Sequence, residues 1–219
     1  MTTPMEPCLK LTKDEGKLLE DATLFRQLVG SLFYLTITRP DILYSVGVIS
    51  QFMEKLRESH LIAAKRILRY VKSTLNFRLL YKQHASFSLT DFVDTDWAGN
   101  VNDRRSTTGY CFNIGSTTVS WYIKKQIIVA ISSCEVEYVA ATMATQELFH
   151  ARTKHIKTHY HFVREKVLTK DIQLQKIRTE DQVADIFTKA LGKAKFEVFR
   201  SALGVVDIKF ALRGSVANQ

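Results

Sequence analysis

The sequence predicts an α/β (α+β) fold in which a helical segment precedes a mixed sheet with flanking helices. Three observations carry this reading. Apolar residues recur at helical spacing from about residue 22 to 73. From about 77 to 131 the pattern turns β-branched and alternating, and from 132 onward the helical period returns. With 46% apolar and 24% charged residues, the 219-residue chain has the composition of a packed domain and not of a disordered segment.

Residues 1–20 are polar, carry Pro4 and Pro7, and read as a flexible N-terminal segment. A first helix spans about 22–36, with Leu24, Leu28, Leu32 and Leu35 expected on its inner face. A second starts after Thr38-Arg39, where Pro40 suits the first helical position and Asp41 the first turn. A third opens at Ser59 as N-cap and runs to about Ser73; Ile67, Leu68 and Val71 oppose Lys65, Arg66, Arg69 and Lys72. Phe77–Tyr81 and Leu89–Asp94 read as strands, and Thr108–Ile114 and Val119–Ile123 as a hairpin around Gly115-Ser116. Lys125–Ile131 is a further extended run.

Ser132–Lys170 is a 39-residue stretch without Gly or Pro and with helical spacing in both halves. One helix of that length is out of scale with a mean of about 11–12 residues, and two helices need a turn for which no residue is available. Two segments once apart are therefore expected to adjoin near Glu147–His150. Beyond it, Ile172-Gln173-Leu174-Gln175 alternates as a strand, Glu180–Lys189 reads as a short helix, and Ala194–Leu203 as a helix stopped at Gly204. The chain thus divides into a flexible segment (1–20), a helical part (21–76), a sheet-containing part (77–204) and a tail (205–219).

The net charge of +9 is unevenly spread. Residues 51–82 hold eight Lys/Arg against two acids, residues 83–150 four against seven, and residues 151–200 twelve against six. An acidic middle between basic flanks suits a metal site approached by a polyanion, although solvated helix faces have the same composition. No window approaches the roughly 18 apolar residues of a membrane span, and the N-terminal sequence has no apolar signal core. The expectation is a cytoplasmic or nuclear protein, not secreted and without a membrane partner. Cys8, Cys111 and Cys134 read as reduced, inert thiols.

Three acidic stretches set carboxylates beside apolar residues: Asp94-Thr95-Asp96-Trp97, Glu135-Val136-Glu137-Tyr138 and Ala184-Asp185-Ile186-Phe187. Acids on the rim of a buried sheet are the ligands that a pair of mutually repelling divalent cations requires. Asp96 reads as a solvated strand end, Glu135 as solvent-facing, and Trp97 and Trp121 as core. His150, His155, His159 and His161 invite a zinc reading, but no Glu follows His155 as a helical zinc motif demands.

Long phrases resemble the C-terminal end of a copia-type retrotransposon Pol polyprotein: FRQLVGSLFYLTITRPDILYSVGVISQFM, HLIAAKRILRYVKSTLNFRLLY, DTDWAGN with DRRSTTGYCF, VSWYIKKQ, SSCEVEY, HARTKHIKTHYHFVREKV and TEDQVADIFTKALGKAKFEVFRSALGVVDI. The resemblance implies that residues 21–76 are the end of a reverse transcriptase and its connection. It implies that 77–204 are a ribonuclease H-like domain, a five-stranded mixed sheet that cleaves the RNA strand of an RNA–DNA hybrid with two Mg²⁺ ions. It assigns the catalytic, metal-binding acids to Asp94, Glu137 and Asp185, and makes an RNA–DNA hybrid and the upstream reverse transcriptase the partners. Lys65, Arg66, Arg69, Lys72, Arg104 and Arg105 are the candidate nucleic-acid contacts.

A further family acid, on a strand between the Glu motif and the HARTKH phrase, has no counterpart; Gln146-Glu147-Leu148-Phe149 runs straight into His150-Ala151-Arg152. The resemblance therefore implies an incomplete sheet, an internal deletion at the residues where pattern reading found its improbable helix, and a disabled nuclease. The alternatives are a non-catalytic nucleic-acid-binding module, or a poorly folded product without function.

Overall fold

The computed structural model describes residues 1–14, 16–81, 88–97, 99, 103–126, 132–148 and 163–209. The helical part comprises α1 (Thr23–Leu35), a 3₁₀ turn (Pro40–Ile42) continued by α2 (Leu43–Ser50), and α3 (Glu58–Ser73). The strands are β1 (Phe77–Leu79), β2 (Leu89–Asp96), β3 (Thr107–Ile114), β4 (Thr117–Lys125) and β5 (Val205–Asp207). The remaining helices are α4 (Ser133–Leu148), α5 (163–168), α6 (Asp185–Thr188) and α7 (Lys193–Ala202). None of the described helices is long and apolar enough to cross a membrane.

β2, β3 and β4 form an antiparallel sheet in chain order, and β1 pairs antiparallel with β5. This is a mixed α/β fold consistent with an incomplete ribonuclease H-like sheet. Among the described residues no strand lies on the far side of β2. Its Val93 carbonyl instead accepts a hydrogen bond from the Gln182 side-chain amide at 2.9 Å. Gly115 takes the positive φ of 58° that the two-residue turn between β3 and β4 needs.

Side chains alternate across the sheet. Phe92, Cys111, Trp121 and Ile123 face the main core, which also holds Phe25, Val29 and Leu32 of α1, Ile42, Val46 and Ile49 around α2, and Ile186, Phe187, Phe196 and Phe199 of the C-terminal helices. Val93, Tyr110 and Phe112 face the other way, against Ala144 of α4. One core thus runs from the N-terminal segment to β5.

Several expectations need correction. Residues 1–14 are packed, not loose: Met5 and Leu11 are buried in the core, and Arg57 Nε and Nη1 donate to the carbonyls of Lys13 and Gly16, both at 2.6 Å. On α1, Leu32 is buried and Leu28 and Leu35 pack against the core as expected, but Leu24 is 76% exposed and Phe25 and Val29 complete the inner face in its place. Ile172–Gln175 forms no strand and is largely exposed; it pairs with neither outer strand of the sheet, β2 or β4. Helix is confined to Asp185–Thr188 within the expected 180–189, and the tail begins later than 205, because Val205–Asp207 pairs with β1. Residues 127–131, the four histidines at 150–161, the junction beyond Leu148 and residues 210–219 lie outside the described residues.

The start of α3 is capped differently from expectation. Arg57 is the N-cap, and its backbone N–H donates to His60 Nδ1 at 3.2 Å. The accepting Nδ1 leaves the ring proton on Nε2, which donates to the Thr12 carbonyl at 2.9 Å. His60 is fully buried and stacks on Phe52 at 3.9 Å. Burial lowers its pKa below 6.5, with the Thr12 carbonyl pulling the other way and the Arg57 charge adding to the lowering. The unfolded chain therefore binds the proton more readily. This contribution is complete above about pH 6.5 and is lost as the pH falls through the folded-state value. Urea melts of the wild type are expected to show stability falling below pH 6.5, and His60→Leu should flatten that part of the profile.

A buried polar node closes the other end of α3. Arg39 binds both oxygens of Asp41, at 2.8 Å from Nε and 2.7 Å from Nη2, and the Thr74 carbonyl at 3.0 Å. Tyr70 Oη donates to Asp41 Oδ2 at 2.6 Å, and Arg200 Nη1 donates to Tyr70 Oη at 3.3 Å. Arg39 and Asp41 side chains are 5% and 0% exposed. The 3₁₀ turn, the end of α3 and α7 are thereby tied at one point.

Candidate active site

β2 delivers Asp94 opposite Gly109 of β3, on the sheet face that packs against α6. Gly109 is required there. A Cβ at that position would lie 2.5 Å from the Phe187 Cβ and 3.1 Å from the Thr188 Cγ2. The bare backbone lets α6 press Phe187 into the core, and this sets Asp185, Thr188 and Lys189 beside Asp94.

The two acids are held by cations of the chain itself. Lys189 Nζ lies 2.8 Å from Asp185 Oδ1 and 3.2 Å from Asp94 Oδ2, so it bridges them. Lys195 Nζ, from α7, donates to Asp185 Oδ2 at 2.6 Å and to the Thr179 carbonyl at 3.0 Å. Thr188 Oγ1 donates a hydrogen bond to Asp94 Oδ2. The Asp185 side chain is 3% exposed and both its oxygens are engaged. Burial raises the Asp94 pKa, opposed by the Thr188 hydroxyl and the Lys189 charge and reinforced by Asp185. Burial works against the Lys189 charge, but the hydrogen bond to Asp185 and the nearby Asp94 outweigh it and raise its pKa. Lys189 is thus held as an ammonium.

Glu137 does not join this pair. It is exposed on α4, whose Ala144 packs against Val93, Tyr110 and Phe112 on the sheet face opposite Asp94. Among the described residues no group of three or more His, Cys, Asp or Glu side chains is placed to hold a metal ion. A divalent cation between Asp94 and Asp185 would stand against an ammonium already bonded to both. The residues present do not fit the two-cation site that the resemblance implies.

Asp96 is not a solvated strand end: it is half-buried, accepts the Thr107 backbone N–H at 3.0 Å and ties the end of β2 to β3. Burial raises its pKa against the pull of that N–H, with Asp94 adding to the rise. Trp97 is 56% exposed, whereas Trp121 packs on the core and donates to the Thr36 carbonyl at 3.0 Å. Glu135 is exposed as expected.

Of the candidate nucleic-acid contacts, Lys65, Arg69 and Lys72 are exposed along α3, and none of them has an ion-pair partner among the described residues. Arg66 turns away: it is paired with Glu6 Oε2 at 3.2 Å and bonded to Thr3 Oγ1 at 3.0 Å. Arg104, at φ 57°, and Arg105 are exposed in the connection before β3.

Sequence reading missed Lys189, Lys195 and Thr188. Asp185 and Lys189 stand at i, i+4, the spacing of a helical ion pair, and that signal was present. Lys195 lies ten residues from Asp185 on another helix and carried none.

No family model matches the chain, and no solved structure matches it. It is 37% identical over 243 residues to the retrovirus-related Pol polyprotein from transposon RE1 of Arabidopsis thaliana, covering 95% of this chain and 17% of that protein. It is 32% identical over 248 residues to the corresponding polyprotein from transposon TNT 1-94 of Nicotiana tabacum, covering 94% of this chain and 18% of that one. A shorter relative, secreted RxLR effector protein 161 of Plasmopara viticola, is 47% identical over 120 residues, 54% of this chain and 84% of that protein. The chain therefore spans less than a fifth of the polyproteins it matches. The RE1 match runs over 243 residues, whereas 95% of 219 is about 208; roughly 35 positions thus have no counterpart in this chain.

Proposed function

Because this chain belongs to the retrovirus-related Pol polyproteins of copia-type transposons, we propose that it is a catalytically silent remnant of their ribonuclease H-like end. The observation that carries this reading is the Lys189 bridge between Asp94 and Asp185. Two acids of the ancestral set are spent on ion pairs within the protein, and Glu137 is exposed on α4 and does not join them. The unmatched positions in the alignment with RE1 support a loss of the strand and acid that would complete the set. Gln182 meets the edge of β2 in the place of a further strand.

A second reading, a nucleic-acid-binding module without catalysis, is favoured by the unpaired row Lys65, Arg69 and Lys72 on α3. Three such cations would give an affinity that falls with a log–log salt slope of about −2 to −3.

One experiment addresses both. The full chain is incubated with a labelled RNA–DNA hybrid and Mg²⁺ at several salt concentrations. No cleavage is expected, and any binding should weaken with salt and be lost in Lys65→Glu/Arg69→Glu. Cleavage that disappears in Asp94→Asn would overturn the first reading. Salt-insensitive binding, or none, would overturn the second.

A further inference from the structure

We propose that Lys189 and Lys195 are internal counter-ions that stand in for divalent cations, so that Asp94 and Asp185 form a metal-independent clasp joining β2, α6 and α7. The inference deepens the reading of a silent site and rests on it.

Several independent features point the same way. Asp185 is nearly inaccessible, so its charge needs compensation inside the protein. Each of its oxygens receives one ammonium, from Lys189 just after α6 and from Lys195 of α7. Lys189 also reaches Asp94 on the sheet, and Thr188 adds a neutral donor to the same oxygen. Lys195 is fixed from three sides, by Asp185, by the Thr179 carbonyl and by the face of Phe199 at 5.1 Å. Within the clasp two ammoniums are bonded to two carboxylates, with Asp96 as a further acid close enough to feel Asp94 and Lys189. The arrangement joins three elements that the short α6, only four residues long, does not anchor by its own backbone bonds.

The side chains of Lys189 and Lys195 are 43% and 34% accessible, whereas that of Asp185 is 3% accessible. The clasp is thus asymmetric. Removing Asp185 frees lysines that return to water. Removing Lys195 leaves one oxygen of Asp185, which has no route to solvent, without its donor.

The test is a double-mutant cycle read by thermal melting of the full chain, with and without about 10 mM Mg²⁺, a concentration high enough to populate weak carboxylate sites. Lys195→Met is expected to lower the melting temperature by roughly 4–8 °C. Lys195→Arg should keep most of it, and Asp185→Asn/Lys195→Met should melt above Lys195→Met alone. The wild-type midpoint should be the same with Mg²⁺ as with a chelator. Additive losses in the cycle would overturn the clasp, as would a Mg²⁺-dependent rise in the wild type that vanishes in Asp185→Asn. If Lys195→Met does not fold, the comparison of Lys195→Arg with Asp185→Asn/Lys195→Met still decides the coupling. Additive losses in a protein that cleaves no hybrid would sink the clasp and leave the silent-site reading standing. Hybrid cleavage by the wild type would sink the reading itself.

Discussion

Asp41→Ala is expected to be the most damaging single substitution in this chain. It should cost about 3–5 kcal/mol, because it leaves the Arg39 guanidinium buried without a counter-charge. For a chain of this length that is a fall of roughly 6–20 °C in the melting midpoint. The geometry explains why no rearrangement offsets the loss. The Arg39 side chain is 5% exposed and its other acceptors, the Thr74 carbonyl and hydroxyl, are neutral. Burial opposes its charge, and the hydrogen bond and charge of Asp41 outweigh that opposition and raise its pKa. Tyr70, with 0% exposure, would also lose the acceptor of its hydroxyl. Asp41→Asn retains the shape and should recover only a minor part. Removing both charges, as in Arg39→Met/Asp41→Leu, should cost less than the sum of the single changes, because no orphaned ion remains. Chemical denaturation of the wild type, Asp41→Ala, Asp41→Asn, Arg39→Met, Asp41→Leu and the double variant measures this directly. A wild-type-like midpoint for Asp41→Ala would refute the node.

Phe187→Ala is expected to follow, with a loss of about 3–5 kcal/mol. Its ring is fully buried in the main core, and its Cβ sits where Gly109 leaves room on the sheet. The residue does more than fill volume. It seats α6, which carries Asp185, Thr188 and Lys189 to Asp94. The truncation should therefore weaken the coupling between Asp94 and Lys189 as well as lower the midpoint. Gly109→Ala approaches the same contact from the sheet side. By forcing α6 outward it should cost about 1–3 kcal/mol. A stable Gly109→Ala protein with an unchanged midpoint would mean that α6 does not press on β3 as described.

Much of this architecture was legible, and the limits have physical causes. Pro40 announced the 3₁₀ turn and α2 because its fixed φ and missing N–H suit a first turn. Gly115 and Gly204, at φ 58° and 81°, marked the hairpin and the end of α7 because few other residues take those angles cheaply. Period alone could not choose between adjacent stripes of α1. Leucines recur at 24, 28, 32 and 35, yet Phe25 and Val29 are buried, and that choice is made by the partner surface. Ile172–Gln175 alternates as a strand should, but alternation alone does not decide whether a segment pairs, and this one joins neither outer edge of the sheet.

The candidate site divides in the same way. Asp94 and Asp185 do come together, as the motifs implied, across 91 positions of sequence. What surrounds them was not visible. Lys195 reaches Asp185 from a separate helix, and Glu137 is exposed on a helix whose Ala144 packs on the sheet face opposite Asp94, so neither relation is written in local spacing. The Arg39–Asp41 pair was adjacent in sequence, but its burial depends on α3 and α7 closing over it.

The central claim is that Asp94 and Asp185 hold lysines and not divalent ions. A calorimetric titration of the full wild-type chain with Mn²⁺, beside Asp94→Asn and Asp185→Asn, tests it most directly. No saturable binding that depends on either acid is expected. A saturable isotherm in the wild type, abolished by both substitutions, would contradict the account.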